Sequence, residues 1–298
     1  MKLRISVVGS MVLLILGDAS ANNISVTNIV LTDQNNSANT VNVVFDLSWD
    51  NSWRGSENRD AAWVFVKFRA PLSNKWEHAE LSANSADHNP AADSAIDAVP
   101  DGKGVFVYSS ANHTGRVNYA RTTLRWNYGA NGYNFPRRVQ VEVSVHAIEM
   151  VHVPQGQFYL GSGGGEISHF YQYTDGSQTT QPFLVTSENA ITVGTANGNL
   201  YYDYDPATFG FGGDQLGPIS NAFPKGYSAF YSMKYEISQG QYADFLNKLT
   251  GAQWTNRFPS QSTYRHTIGG SCTNTTASAP DRACNFLKWS DISAYADW

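Results

Sequence analysis

Charge is scarce in this chain of 298 residues, because only 15% of them are Asp, Glu, Lys or Arg. The formal net charge is −5. Proteins that bind nucleic acid usually carry a basic domain or patch, so this composition argues against nucleic acid as a partner. Long apolar runs are scarce as well. After the N-terminus, no stretch reaches the ~20 apolar residues of a transmembrane helix, and no such helix is predicted.

The N-terminus has the three parts of a signal peptide. Residues 1–4 are basic, residues 7–16 are apolar but short for a membrane span, and residues 19–21 fit a small-x-small cleavage pattern. We therefore predict a signal peptide over 1–21, cleaved after Ala21. The chain is then exported to the periplasm, the cell surface or the medium. An uncleaved anchor is the alternative.

Cysteine is almost absent, since the chain has only Cys272 and Cys284. An even number of cysteines in an exported protein favours a disulfide. The bridge would close the short loop between the two residues and stabilise the folded chain by roughly 3 kcal/mol. Two buried thiols are the alternative. The pair does not form a CxxC redox motif, and there is no further cysteine to complete a cysteine-rich zinc site.

Residues 22–147 are predicted to form an all-β, sandwich-like domain. Residues 41–49 alternate so that Val43, Phe45, Leu47 and Trp49 share one face of a strand. Further strands are predicted at 24–31, 62–69, 76–81, 104–108, 116–126 and 138–148. About seven short strands over such a length are typical of a sandwich.

This domain holds five of the eight tryptophans, namely Trp49, Trp53, Trp63, Trp76 and Trp126. Exposed aromatic rings could stack on sugars, but core packing is the expected role.

Residues 148–298 are predicted to form a second domain. It should pack closely on the first, because no Pro/Gly linker separates them. A long loop insertion spans 162–229, rich in aromatic residues, with short strands predicted at 183–185, 190–193 and 200–202. Asp203, Asp205 and Asp214 in this insertion could offer oxygen ligands to calcium, although a solvated loop is the expected structure.

A helix is predicted over residues 239–249. Ser238 and Gln241 have the spacing of a capping box, and Gly251 is a favoured helix terminator. The predicted apolar stripe consists of Tyr242, Phe245, Leu246 and Leu249. A second helix is predicted to begin after an N-cap at Ser290, and residues 252–280 between the two helices are predicted to be loop-like.

Three segments occur in the order found in one protein family. They are residues 150–161 (MVHVPQGQFYLG), 234–245 (KYEISQGQYADF) and 283–298 (ACNFLKWSDISAYADW). Together they resemble the formylglycine-generating enzyme, or sulfatase-modifying factor, family. The resemblance covers residues 148–298 apart from the insertion, and leaves the N-terminal β domain unaccounted for.

The resemblance implies an α+β, C-type-lectin-like fold for the second domain, incomplete at its C-terminus. Family members include oxygen-dependent oxidases that use copper to convert a sulfatase cysteine to formylglycine, iron-dependent relatives, and non-catalytic binding proteins. Calcium is structural in the family. The matching motif positions with implied structural roles are Glu236, Tyr242, Phe245, Trp289, Asp291, Tyr295 and Trp298.

One departure from the family decides the functional expectation. The family segment that follows the last motif tryptophan carries the paired catalytic cysteines and the calcium loops, and it is not in this sequence. Cys272 and Cys284 match no catalytic position. The resemblance therefore implies no catalytic residue, metal ligand or cofactor in this fragment. The seven histidines show neither an HExxH motif nor a 2-His-1-carboxylate spacing.

Two functions remain open from the sequence. The first is an exported formylglycine-generating-enzyme-like protein that is not catalytic as this fragment. The alternative is a secreted or surface module that binds a protein or glycan ligand on a lectin-like fold, through the aromatic loops of 162–229.

Overall fold

The computed structural model describes residues 23–136, 139–164, 166, 169–174, 180–202, 217–259 and 263–298. The predicted signal peptide (1–21) and the calcium candidates Asp203, Asp205 and Asp214 lie outside these residues. The described chain is mainly β-sheet, which confirms the β-rich character predicted for it. It divides into two compact units, Ile24–Glu236 and Ile237–Trp298.

Fifteen strands and three α-helices are described. The strands are β1 Ser25–Asn35, β2 Thr40–Arg54, β3 Arg59–Arg69, β4 Glu77–His78, β5 Ser94–Ala98, β6 Val105–Ser109, β7 His113–Trp126, β8 Glu142–Val153, β9 Phe158–Leu160, β10 Phe170–Gln172, β11 Phe183–Val185, β12 Leu200–Tyr202, β13 Phe230–Met233, β14 Ile268–Ser271 and β15 Asn274–Ala277. The helices are α1 Gln239–Leu246, α2 Gly251–Arg257 and α3 Trp289–Asp297, and a short 3₁₀ turn spans Ser85–Asp87.

The long strand β2 lies between β1 and β7, antiparallel to both. Its predicted alternation is confirmed, because Val43, Phe45, Leu47 and Trp49 are all fully buried. Alternate residues of a strand face opposite sides of a sheet, so these four side chains meet the core together. The chain turns at Arg54 and Arg59 into β3, which starts the opposite layer.

The opposite layer is built around β3. This strand pairs with β8 along its whole length and with β4 and β6 along its other edge, and β5 extends the layer beyond β6. The buried core joins side chains of both layers. For example, the ring centroids of Phe68 on β3 and Trp126 on β7 are 4.6 Å apart, although their strands are not hydrogen-bonded. This two-layer core is what a sandwich requires.

Strand β8 continues through the position where the two domains were expected to meet, between residues 147 and 148. Its last residues, Met150–Val153, pair with β13. Residues 230–233 therefore belong to the same sheet as the N-terminal strands. Between them, β9 pairs with β11 and β10 with β12, which agrees with the strands predicted at 183–185 and 200–202.

The unit Ile237–Trp298 holds the three helices and the β14–β15 hairpin. The capping box at the start of α1 is confirmed, since Gln241 N donates to Ser238 Oγ (3.2 Å) and Ser238 N donates to Gln241 Oε1 (3.0 Å). The predicted end of this helix is wrong. The helix stops at Leu246, and Gly251 begins α2 within a region predicted to be loop.

The predicted start of the last helix is also wrong. Its N-cap is Lys288 rather than Ser290. The backbone N–H of Lys288 donates to Asp291 Oδ2 at 2.9 Å, so the acidic side chain at the third helical position caps the turn without help from a serine.

Candidate functional site

An open cavity of about 240 Å³ lies over the short strand β11 in the unit Ile24–Glu236. Beneath it, the buried side chains of Val185, Ile191 and Leu200 form a small apolar core. The backbone around this core is tied by reciprocal hydrogen bonds between Ile191 and Ile219 and by one from Leu200 N to Thr192 O at 3.1 Å. The floor of the cavity is therefore stabilised by these apolar contacts and backbone hydrogen bonds.

The lining of the cavity is polar but uncharged. It is lined by residues 183–187, 189–192 and 198–199, and none of them is ionisable. The polar members are Thr186, Ser187, Asn189, Thr192 and Asn199. Hydroxyl and amide groups both donate and accept hydrogen bonds, whereas the lack of formal charge gives an ionic ligand no counter-ion. Such a surface suits a neutral ligand with several hydroxyl groups.

The cavity is small. Its volume is about 240 Å³. Pockets for drug-sized ligands begin at about 300 Å³. The volume therefore suits a ligand of roughly the size of one sugar ring.

One exposed aromatic residue is the strand partner of a residue that lines the cavity. Tyr159 on β9 pairs in register with Leu184, a lining residue on β11. Residues directly opposite on paired strands share one face of the sheet, with their Cβ atoms about 5 Å apart. The Tyr159 side chain is 66% exposed, so its ring can receive the apolar face of a ligand held in the cavity.

Glu188 lies between the lining residues Ser187 and Asn189 and anchors this part of the cavity lining through hydrogen bonds. Its carboxylate accepts hydrogen bonds from Lys225 N (2.6 Å) and Ser228 N (2.8 Å). The hydrogen bond from Ser228 N, and after it that from Lys225 N, lowers the pKa of Glu188. The carboxylate is therefore ionised at neutral pH. Because these two hydrogen bonds hold residues 187–189 in place, this part of the lining is ordered before a ligand binds. That reduces the conformational entropy lost on binding.

A second cluster of polar groups is buried in the large sheet, remote in sequence from the cavity. Lys234 Nζ lies 3.0 Å from Asp60 Oδ2 and 3.3 Å from Glu149 Oε2, and it donates to Asn51 O at 2.8 Å. Asp60 also accepts hydrogen bonds from Trp49 Nε1 and Ser52 Oγ. Asp60 is therefore well satisfied.

Glu149 is the member of this cluster that is poorly satisfied. Both carboxylate oxygens are buried and accept no hydrogen bond from the described chain. Burial raises the pKa of Glu149 to about 7, a shift that the neighbouring Lys234 ammonium only partly opposes. The cluster is enclosed by the sheet, and we assign it a structural role.

The residues matched to the family motifs are brought together in part. Tyr242, Phe245, Tyr295 and Trp298 form one aromatic cluster with ring centroids 5.4–6.3 Å apart. This cluster joins the stripe of α1 to α3.

The other three motif residues differ from one another in their burial. Asp291 is buried and forms an ion pair with Arg257 at 3.1 Å. Trp289 is 83% exposed, and Glu236 is exposed at the end of the other unit.

The predicted disulfide is wrong, because both thiols are free. Cys272 lies in the β14–β15 turn, with its Sγ 3.8 Å from Leu249 O, beyond the C-terminal end of α1. Cys284 N donates to Ile237 O, just before the N-terminal end of the same helix. Eight helical residues span about 12 Å, whereas a disulfide requires Cα atoms within about 7 Å. Burial also raises the pKa of Cys284 to about 12, so its thiol is unreactive.

The tryptophans of the β domain serve packing. Trp49 and Trp126 are buried in the core, and Trp53, Trp63 and Trp76 are half-buried. None of the five is exposed as a sugar-stacking ring would be.

The sequence pointed to the insertion but did not show the cavity. Its lining residues are a run of small polar and apolar side chains without spacing or charge pattern. The only local signal was the combination of turn residues with the Phe183–Val185 strand.

Within the described residues, no three His, Cys, Asp or Glu side chains are close enough to hold a metal ion. The described helices are all too short or too polar to cross a membrane. Comparison of the chain with protein-family models, curated proteins and solved structures finds no match.

Proposed function

We propose that this chain is an exported binding protein that holds a neutral sugar residue in the cavity over β11. The observation that carries the proposal is the uncharged polar lining of a cavity of one-ring size, with the exposed Tyr159 as the strand partner of a lining residue. Hydroxyl-rich ligands need donors and acceptors that orient them and an apolar surface for their C–H face.

A cavity-filling substitution tests the proposal. Thr192 lines the cavity and is exposed, so Thr192→Trp should fill it without disturbing the core beneath. We expect a panel of neutral mono- and disaccharides to yield a ligand by calorimetry, and Thr192→Trp to abolish its binding. Thr114→Trp, at an exposed position on β7, is the matched control and should bind normally.

The contribution of the rim is tested separately. Tyr159→Ala should weaken binding about tenfold, the loss expected for one stacking contact of 1–1.5 kcal/mol. Tyr264→Ala removes a similarly exposed tyrosine from the other unit and should have no effect. Saccharide binding that is unchanged in both Thr192→Trp and Tyr159→Ala would place the site elsewhere and end the proposal.

We further propose that the chain is a member of the formylglycine-generating enzyme family and is not catalytic in this form. The three ordered motifs support membership, as does the convergence of Tyr242, Phe245, Tyr295 and Trp298. The lack of activity is supported by the sequence, because Cys272 and Cys284 match no catalytic position of the family. Conversion of the cysteine in a sulfatase-motif peptide to formylglycine by the purified chain in air would refute the proposed lack of activity.

A further inference from the structure

Three ionisable side chains meet inside the unit Ile24–Glu236, away from solvent. The side chains of Asp60, Glu149 and Lys234 are 1%, 2% and 12% exposed. Lys234 Nζ lies 3.0 Å from Asp60 Oδ2 and 3.3 Å from Glu149 Oε2. Two opposite charges that are buried in contact carry a large desolvation cost. A covalent bond between them that removes both charges would relieve this cost.

Lys234 and Asp60 are placed to react with each other. An amine can attack a carboxyl carbon once the two atoms are about 3–3.5 Å apart. Asp60 Oδ2 is bonded to Cγ, so Cγ is at most one C–O bond length farther from Nζ than the 3.0 Å contact. A small rotation of either side chain therefore brings the nitrogen to the carbon.

The other carboxylate oxygen of Asp60 is held by two hydrogen-bond donors. Ser52 Oγ donates to Asp60 Oδ1 at 2.8 Å, and Trp53 N donates to the same oxygen at 3.0 Å. Attack on Cγ places negative charge on this oxygen, and fixed donors of this kind stabilise an oxyanion. The same donors would satisfy the carbonyl oxygen of an amide product.

Glu149 can move protons between the reacting groups. Both of its carboxylate oxygens are buried and accept no hydrogen bond from the described chain. Burial raises the pKa of Glu149 to about 7, so a large fraction of the carboxyl group is protonated at neutral pH. An acid of this kind, 3.3 Å from Nζ, can protonate a leaving oxygen and accept a proton from the nitrogen.

We propose that Lys234 and Asp60 form an intramolecular amide bond, with Glu149 as the catalytic acid and base. Lys234 first passes a proton to Asp60 within their contact, which gives an amine and a carboxylic acid. The Nζ lone pair then forms a bond to Cγ. The Cγ–Oδ2 bond breaks as the hydroxyl group takes a proton from Glu149, and Glu149 regains a proton from the nitrogen. One water leaves, the charge is conserved, and no other reactant is consumed.

The product fits the space of the ion pair. The amide keeps one N–H, and Asn51 O, 2.8 Å from Nζ, can accept it. The bond would join β3 to the residue that follows β13, 174 positions later. The segment between them, which carries the cavity, would then be closed into a covalent loop.

Folding precedes the reaction, because the pairing of β13 with β8 is what brings Lys234 to Asp60. Burial lowers the pKa of Lys234, but its hydrogen bond to Asp60 and the charges of Asp60 and Glu149 outweigh burial and raise this pKa. The free amine is therefore the minor form, and the bond should form slowly. A freshly refolded chain still contains the ion pair, and in that form the ionisation of Glu149 governs the pH dependence of stability.

Mass spectrometry of the full chain tests the proposal. After long incubation at pH 7, we expect most of the chain to have lost the mass of one water. Proteolysis should then give a branched peptide that joins Lys234 to Asp60. Lys234→Arg keeps the charge without the amine nucleophile and should keep its full mass. Lys103→Arg, in the more exposed ion pair with Glu80, is the matched control and should lose water as the unsubstituted chain does.

Two further variants test the roles of the other groups. Glu149→Gln lacks the proton relay and should form the bond about a hundredfold more slowly. Asp60→Asn should lose ammonia instead of water, because its leaving group contains nitrogen. A chain that keeps its full mass, or one that loses water without a branched peptide, as a cyclic imide at an aspartate would, overturns the proposal. Equally fast bond formation in Glu149→Gln would overturn the role of Glu149.

Discussion

Replacing Glu149 with glutamine should stabilise the unit Ile24–Glu236 above pH 7. The carboxylate is 3% exposed, and its oxygens accept no hydrogen bond in the described chain. Its pKa of about 7 in the folded chain compares with 4.5 for a free glutamate. Burial is the main cause of the rise, and Lys234, Nζ 3.3 Å away, offsets only part of it.

The sign of the pH dependence follows from proton binding. Between pH 4.5 and 7 the folded chain keeps the Glu149 proton and the unfolded chain releases it. Protonation of Glu149 therefore stabilises the folded chain fully below pH 4.5, and this stabilisation is lost as the pH rises to 7. One pKa unit corresponds to 1.36 kcal/mol, so the whole shift amounts to about 3 kcal/mol in the free energy of unfolding. Glutamine imitates the protonated acid and has no such dependence.

Urea unfolding at pH 4.5 and pH 8, followed by tryptophan fluorescence, measures this difference. Trp49 reports on the cluster directly, because its Nε1 donates to Asp60 Oδ2 at 3.1 Å. Relative to the unsubstituted chain, Glu149→Gln should gain about 3 kcal/mol between the two pH values. Glu142→Gln, at the exposed end of the same strand, is the control and should gain little. An equal difference at both pH values would show that Glu149 is not buried as a neutral acid.

Three other predictions concern single contacts. Asn247→Ala removes the two hydrogen bonds, 2.7 and 2.8 Å long, that tie α1 to the β14–β15 hairpin, and should cost about 1–3 kcal/mol in unfolding by urea. Thiol titration without reductant should find two reactive groups after unfolding, Cys272 and Cys284, whereas a disulfide would give none. Gly104→Ala places a Cβ 2.5 Å from the Trp63 ring and should lower stability by about 1–3 kcal/mol, in contrast to Gly156→Ala, whose Cβ meets no atom within 4 Å.

The elements that the sequence predicted well are those set by local periodicity. The alternation of Val43, Phe45, Leu47 and Trp49 identifies β2 because each side chain has one of two faces to choose. The capping box of Ser238 is similarly local, since both of its hydrogen bonds join residues three apart.

The two wrongly predicted helix ends share one cause, which is that several local signals compete at the ends of helices. Gly251 is a good terminator, but Thr250 before it pairs with Gln253 and starts a new helix instead. Ser290 is a good N-cap, but Asp291 can cap the turn from its third position, and Lys288 takes the place. The disulfide failed for a tertiary reason, because α1 stands between the two thiols.

The candidate site and the buried cluster could not be found from sequence. Lys234 and Asp60 are separated by 174 positions, and only the pairing of β13 with β8 brings the ammonium into the sheet. The cavity is a space between backbone segments, and its neutral lining gives no charge pattern to recognise.

The pairing of Val153 with Phe230 also determines how the segment between them can change. Partners in an antiparallel ladder lie about 5 Å apart, so the cavity-bearing segment leaves the sheet and returns at nearly the same point. The sheet places no demand on its length, because closing a longer loop costs only about 0.6 kcal/mol per doubling. This segment can therefore be lengthened, shortened or exchanged while β8 and β13 stay in register. The fold thereby separates a hydrogen-bonded sheet from a segment whose length the sheet does not constrain.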